Sequence, residues 1–428
     1  MEFLIKSVIN IRWLFDTILR LVQSNYLIIL IVIGIISVCL YWLFFVPLNW
    51  NKHVDDWLCQ KGDNGYRGKY KCATINRLRK ARKVGAKELP PPYPNGWYGI
   101  LESSSIKPGE STFVSCLGEQ FVVFRSEEGT AFILDAYCPH LGANLGIGGR
   151  INGDTIICPF HQWSFQGTDG LCTNIPYSKN IPPATRIRKW ISTEQNGFVF
   201  LWYNAESSEL PWTLPISPEV ENNGFVYQGR NEFLVNCHIQ EIPENGADLA
   251  HFKAIHNESI IAGGYNPKNS IFRWLGQHSW HASWDYTREK HIAEIRLKHS
   301  LKFYQKINLF EIDVVGKQIG PAFVHLTLKS SIFGECQIFQ TVTPIEPLVQ
   351  KVVHRFYATR KMSPILKILI YGESVMFERD MNMWNQKLYR KSPILVPEDA
   401  SIKKFRKWYA QFYTENSKVF GLRDNNDW

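Results

Sequence analysis

Hydrophobic and polar positions divide the chain into zones of different period. Residues 1–22 mix Lys6, Arg12, Asp16 and Arg20 with Val8, Ile9, Ile11, Trp13, Leu14, Phe15, Ile18 and Leu19, the pattern of a short helix near a membrane surface. Leu27–Val46 then runs twenty residues without a charge. At ~1.5 Å per residue that covers a ~30 Å hydrocarbon core. Tyr26, Tyr41, Trp42, Phe44, Phe45 and Trp50 cluster toward its ends, as interfacial aromatics do. A cleaved signal peptide has a shorter apolar core and a small-residue cleavage site, and a buried helix rarely stays apolar all round. The expectation is a membrane anchor within an N-terminal segment, residues 1–50.

Residues 51–95 read as a connector ending in Leu89-Pro90-Pro91-Pro92-Tyr93-Pro94, a stiff, extended boundary. In residues 96–205 short strand-like runs (Thr112–Val114, Phe121–Arg125, Ala131–Leu134, Thr155–Ile157, Gly197–Tyr203) alternate with Gly-rich turns, predicting a small all-β domain. Residues 206–395 carry longer strands at Ser300–Ile312, Ala322–Lys329, Glu335–Val342 and Lys351–Thr359, an antiparallel sheet, and a helix at Ser363–Tyr389. A helix at Ile402–Tyr413 marks residues 396–428 as a helical tail. The fold class is α+β, with no internal repeat.

Composition narrows the setting. The 428 residues carry a net charge of +9, which suits an anionic membrane surface or an acidic redox partner. The basic residues are spread out and no reader motif accompanies them, so nucleic acid is not the expected partner. Nine Cys at irregular spacing do not form a secreted disulfide framework, and a reducing compartment is expected. Arg12 and Arg20 precede the apolar span. Lys52, Lys61, Arg67, Lys69, Lys71 and six further basic residues in Arg77–Lys87 follow it, placing the body on the cytosolic side, with the endoplasmic reticulum the expected membrane.

Two constellations carry chemistry. The first is Cys138-Pro139-His140, answered by Cys158-Pro159-Phe160-His161. Two Cys and two His can hold a tetrahedral zinc, or a [2Fe–2S] cluster with His₂ on one iron. Each arm here is mixed, one thiolate and one imidazole, and that favours the cluster. Cys138 and Cys158 take one iron, His140 and His161 the other. A disulfide-braced electron carrier, the alternative from another class, would need Cys where Ala143 and Phe160 stand.

The second is Asp248-Leu249-Ala250-His251 followed by His256. Two His and a carboxylate with open positions are the facial triad of non-haem Fe(II) oxygenases. On a straight helix five residues separate side chains by about 140°, so the helix must distort or end between the two His. Asp380, Glu373, Glu378, Asp399 and Asp313 are candidate carboxylates. His238 reads as structural, and His278, His281, His291 and His299 show no ligand spacing. There is no G-x-G-x-x-G after a strand, so electrons are expected from a separate reductase.

Cys158–Pro176, with Trp163, Phe165 and Gly170, resembles the second cluster loop of Rieske non-haem iron oxygenases, and residues 95–392 together resemble their alpha subunits. Leu141 departs from the pattern, since many bacterial relatives carry Arg there. The span and the Glu244-Asn245…His251-Phe252 run resemble the animal sterol group, the Neverland-type cholesterol 7-desaturases. The resemblance implies a Rieske β-domain joined to a helix-grip catalytic domain. It implies Asp380 as third iron ligand, because Asp380, Trp384 and Lys387 match the family's late-helix segment. It implies Asp248 as an electron bridge between a cluster His and an iron His of neighbouring subunits, hence a homo-oligomer, a trimer. The implied reaction converts cholesterol to 7-dehydrocholesterol with O₂ and NAD(P)H-derived electrons. Hydroxylation of another sterol or lipid is the alternative.

Overall fold

The computed structural model describes residues 25–52, 88–206, 210–257, 276–303 and 307–419, with Trp13, Asp16, Thr17 and Arg20. Most of the expected surface helix at 1–22 and of the connector therefore lies outside the described residues.

The apolar run folds as α1 (Tyr26–Phe45), within a residue of expectation at each end. Its side chains are almost all exposed, so the described residues of the chain leave it largely uncovered. The chain then does something the sequence did not suggest. Leu48–Lys52 forms β1, which pairs in parallel with β12 (Val226–Val235).

The residues between them form a small β-domain. A three-stranded sheet joins β2 (Gly96–Glu102), β11 (Phe198–Tyr203) and β10 (Ser192–Gln195), and a second joins β3 (Ser111–Cys116), β4 (Glu119–Arg125) and β5 (Ala131–Asp135). Four short strands, β6 (Arg150–Asn152), β7 (Thr155–Ile157), β8 (Ser164–Gln166) and β9 (Cys172–Asn174), complete it. All five predicted strand runs fall on these elements.

The catalytic half is one eight-stranded sheet in the order β1-β12-β18-β17-β16-β15-β14-β13. Its later strands are β13 (Gly276–Tyr286), β14 (Ile292–Phe303), β15 (Ile307–Ile319), β16 (Phe323–Ser330), β17 (Gly334–Glu346) and β18 (Val349–Ala358), all antiparallel to their neighbours. The expected single strand Ser300–Ile312 is in fact the end of β14 and the start of β15, so a hairpin lies inside it. After α2 (Pro218–Glu221), α3 (Glu241–Ala247) and α4 (Leu249–Ile255), the long α5 (Ser363–Gln386) lies on one face of this sheet. There Leu366 and Ile370 pack with Ile338 and Phe356, and Phe377 with Phe233.

Two expected boundaries turn out to be packed. The proline run packs on the body: Pro92, Tyr93 and Pro94 are buried and Pro91 half-buried, Pro91 O meets His238 Nε2 at 3.2 Å, and Asn95 N donates to Phe412 O. The C-terminal helix, α6 (Ala400–Tyr409), packs on the body too. Phe405, Trp408 and Tyr409 bury against Trp284 of β13, and Arg406 forms a two-bond ion pair with Glu244 of α3 (2.7 and 2.9 Å). A shared core in which Tyr98, Ile100 and Leu201 meet Phe233, Val342 and Val352 fuses the two halves.

Candidate metal centres

The first centre is made by two loops of the same design. In the first, Gly142 N donates to Cys138 O (2.9 Å) and Cys138 N donates to Ala143 O (2.9 Å). In the second, Gln162 N donates to Cys158 O (3.1 Å) and Cys158 N donates to Trp163 O (2.8 Å). Each loop therefore turns back on its Cys four residues later, and the turning residue is left-handed: Gly142 at φ 73°, Gln162 at φ 61°. That geometry holds both sulfurs inside, Cys138 and Cys158 being buried, while His140 and His161 reach the rim. The imidazoles lie edge to face at 4.7 Å, and Trp163 stacks on His140 at 4.7 Å and 7°. Burial, with Cys158 alongside, pushes the Cys138 thiol up to about 11. Two buried thiols and two imidazoles on adjacent loops form a donor set that fits a [2Fe–2S] cluster, sulfur inward and nitrogen outward.

The second centre gathers His251, His256 and Asp380, all buried, with one donor atom of each within 4.8 Å of the others. Local capping explains how two His five apart converge. The Asp248 carboxylate accepts from His251 N (3.3 Å) at the start of α4, and the helix ends at Ile255, leaving His256 as its cap at φ −105°, ψ 15°. The expected break between the two His is therefore present. The exposed carbonyls at the helix end are taken up: Trp280 Nε1 donates to His256 O (3.1 Å) and Arg379 Nη1 to Ile255 O (3.4 Å). His251 Nδ1 is held by the backbone oxygen of Asp248, which fixes the tautomer and leaves Nε2 for a metal. Within the chain, the Asp248 carbonyl and not its carboxylate orients this imidazole.

His256 Nε2 stands 3.0 Å from Asp380 Oδ1, yet that oxygen makes no hydrogen bond, and neither does the buried His256 Nδ1. Donors that converge without bonding one another fit a cation between them. Burial lowers the pKa of His251 and keeps it neutral, as a ligand must be. Three of the four rival carboxylates lie in other surroundings. Glu373 pairs with His354 (2.6 Å), Asp399 accepts from Val396 N, and Asp313 sits on β15 opposite Lys298 and Lys329. Lys387 reaches Glu241 (3.3 Å), and Trp384 is buried.

His238 is fully enclosed and pushed down to about 4 by burial, the structural histidine expected. The sequence did not reveal a second layer on the sheet. His278 Nδ1 meets His299 Nε2 at 2.6 Å, Trp280 lies 4.2 Å from His299 ring to ring, and burial holds both imidazoles neutral, near 3 and 4. The signal was period two: His278 and Trp280 alternate on β13, and His299 is Trp280's partner on β14.

Residues 96–188 match the Rieske [2Fe-2S] domain, and residues 201–413 the 3-ketosteroid 9alpha-hydroxylase C-terminal domain. Dicamba monooxygenase, a solved structure 12% identical, aligns over 74% of this chain and 96% of its own with a TM-score of 0.57. Together these define an oxygenase of the Rieske class. Cholesterol 7-desaturase nvd of Drosophila melanogaster is 53% identical over 95% of this chain and 96% of its own. The Xenopus laevis protein of that name is 42% identical, over 85% of this chain and 81% of its own. The chain belongs to the cholesterol 7-desaturase family of Rieske oxygenases.

Proposed function

We propose that this protein is a membrane-anchored sterol desaturase that converts cholesterol to 7-dehydrocholesterol. The observation that carries the reading is a buried His251–His256–Asp380 triad in a chain 53% identical to a cholesterol 7-desaturase over nearly its whole length. Cys138, His140, Cys158 and His161 hold the [2Fe–2S] cluster; His251, His256 and Asp380 hold mononuclear Fe²⁺. When bound, the cluster supplies single electrons and the mononuclear iron an open site where O₂ is activated against an unactivated C–H bond. The balance is sterol, O₂, two electrons and two protons giving the dehydrosterol and two waters. NAD(P)H is the electron source, through a separate reductase.

The chain's own residues set the conditions. Asp248 O orients His251, and Trp280 and Arg379 fix the helix end that presents His256. The half-buried Asp248 carboxylate remains available to a cluster imidazole of a neighbouring copy, which makes the working unit a homo-oligomer, a trimer. Leu301, Ile312 and Val314, partly exposed on the sheet face that carries His299, offer an apolar wall to the sterol. α1 anchors the protein in the endoplasmic reticulum with the body in the cytosol, the side favoured by the basic residues after the span.

Membrane-bound protein given labelled cholesterol, O₂ and a reductase should yield 7-dehydrocholesterol by mass spectrometry. The hydroxylase-type model matching residues 201–413 favours a second reading, hydroxylation of another steroid. A hydroxylated product alone would select it.

A further inference from the structure

Where α1 leaves the membrane, the catalytic domain grips it. Ser363 Oγ and Arg360 Nη1 donate to Phe44 O (3.1 and 3.3 Å), and the Lys367 ammonium donates to Val46 O. The Arg360 guanidinium lies 5.2 Å over Phe45 and the Lys367 ammonium 4.8 Å over Trp42. Two residues past Val46 the chain enters the sheet as β1, and Trp50 packs edge-on against Tyr371 of α5 (5.7 Å). A helix held by a backbone ladder, three donors and two cation–π contacts cannot swing free of the body. The sheet end from which it emerges is therefore fixed at the bilayer surface.

Strand register identifies what else lies at that end. Leu48 pairs with Gly229 near the start of β12, whose Val226 faces Ala358, the last residue of β18. Ala358 also faces Cys336 near the start of β17, Ser330 pairs with Gly334, and β14 ends opposite Ile307. Phe303 of β14, Ile307 of β15, Ser330 of β16 and Gly334 of β17 thus lie at the same end of the sheet as the exit of α1, and Phe310 and Phe333 pack together there (5.0 Å). The large apolar side chains here are exposed: Ile307 at 58%, Ile332 at 62% and, on the first turns of α5, Ile368 at 64%. Lys302, Arg360 and Lys361 stand among them. Of the acidic residues, Glu335 is paired with Lys329 (2.9 Å) and Glu311 accepts from Asn308 (3.3 Å). Apolar tips within a basic rim are the composition of a surface that enters the headgroup region.

Resting on the anchor reading above, we propose that this end of the sheet is itself seated in the bilayer. Ile307, Ile332 and Ile368 enter the boundary between headgroups and acyl chains, Lys302, Arg360 and Lys361 meet the phosphates of anionic lipid, and the substrate channel opens between them. From this mouth α5 leads inward from Ser363 to Asp380, seventeen residues or roughly 26 Å. Leu301, Phe310, Ile312 and Val314 line the sheet beside that path. A sterol leaving the membrane reaches the triad without crossing water.

The test places an environment-sensitive fluorescent amino acid at one position at a time in the full chain. The chain is reconstituted in phosphatidylcholine–phosphatidylserine vesicles containing brominated acyl chains. Emission from positions 332 and 368 should shift to the blue and be quenched. Ile394, fully exposed beyond the far end of α5, should report water. A probe at Ile33, within α1, separates the two readings. Quenching at 33 with positions 332 and 368 matching 394 overturns the seated surface and leaves the anchor standing; no quenching at 33 removes the anchor itself. Ile332→Glu with Ile368→Glu should raise KM for vesicle-borne sterol several-fold at unchanged kcat, with detergent-solubilised turnover as before. An unchanged KM in vesicles overturns the channel mouth.

Discussion

Around the cluster donors, Cys138 and Cys158 each head a loop closed by the same pair of backbone hydrogen bonds, and all four donors lie within 24 residues of chain. The iron triad is built differently. His251 and His256 come from one turn-ended helix, but Asp380 comes from α5, 124 residues beyond His256, and meets them only once the eight-stranded sheet has brought α5 and α4 together. One centre is a property of local chain, the other of the assembled domain. Damage to one should therefore leave the other readable.

The largest effect tests that independence directly. Asp380→Ala should abolish turnover and mononuclear iron binding while the reduced protein keeps its Rieske EPR signal, because each cluster loop is closed by its own backbone hydrogen bonds. Cys158→Ala should do the reverse, losing the cluster and keeping one iron per chain. Loss of both metals in the Asp380 variant would show that the centres fold as one unit.

A smaller effect is expected at Asp248. Its backbone oxygen orients His251, and a side-chain substitution leaves that oxygen in place. Asp248→Asn should keep both metals and sterol binding yet slow steady-state turnover by about 100-fold, with single-turnover chemistry of the pre-reduced protein less affected. Loss of the mononuclear iron would instead make the carboxylate a ligand or a folding residue.

Acid should separate the two halves by stability. Burial lowers His238 to about 4, His278 to about 3, His299 to about 4, and lowers His325 as well, all within the catalytic half. An unfolded imidazole titrates near 6.5, so below about that pH the unfolded chain takes up protons that the folded one refuses. The stability these residues contribute is present above about pH 6.5 and drains away as pH falls toward 4. Near-UV circular dichroism of the catalytic tryptophans should fade on acidification before the visible absorbance of the cluster does. The opposite order would sink this assignment.

The smallest effect lies inside the cluster loops. Gly142 and Gln162 occupy equivalent left-handed positions, and a Cβ on Gly142 would meet nothing within 4 Å. Gly142→Ala should cost about 1 kcal/mol from backbone strain alone. Gln162→Ala should change stability by less than about 0.5 kcal/mol, because Gln162 already bears that strain and is exposed. Chemical denaturation followed through the cluster chromophore measures both, and equal costs would show that the loops are not equivalent.

The same division explains what the sequence made legible. CxH and CxxH spacing names the cluster donors because the loops are local, and His251 and His256 are legible because five residues force a helix end between them. Asp380 has no such local signature among Glu373, Glu378 and Asp399; its selection required a family resemblance, and then the packing of α5. The hairpin within Ser300–Ile312 escaped notice because residues 304–306 contain no Gly, Pro, Asn or Asp to mark a turn. The burial of Pro92–Pro94 escaped for the reverse reason: stiff composition suggests a spacer, whereas His238, which meets Pro91 O from 147 residues away, helps turn the run into an interface. β1 is polar and five residues long, and only its partner on β12 makes it a strand.

That short strand has a consequence for chains lacking the N-terminus. β12 would otherwise be the rim of the sheet, presenting ten residues with one side of their backbone unbonded, and β1 closes half of that rim. A protein cut after Lys52 to remove the greasy helix also uncovers this ladder, a template on which further copies can add strand by strand. Removing the same helix while retaining Leu48–Lys52 keeps the rim closed. The two truncations differ by five residues, and those residues decide whether the freed enzyme stays dispersed or polymerises through its own sheet.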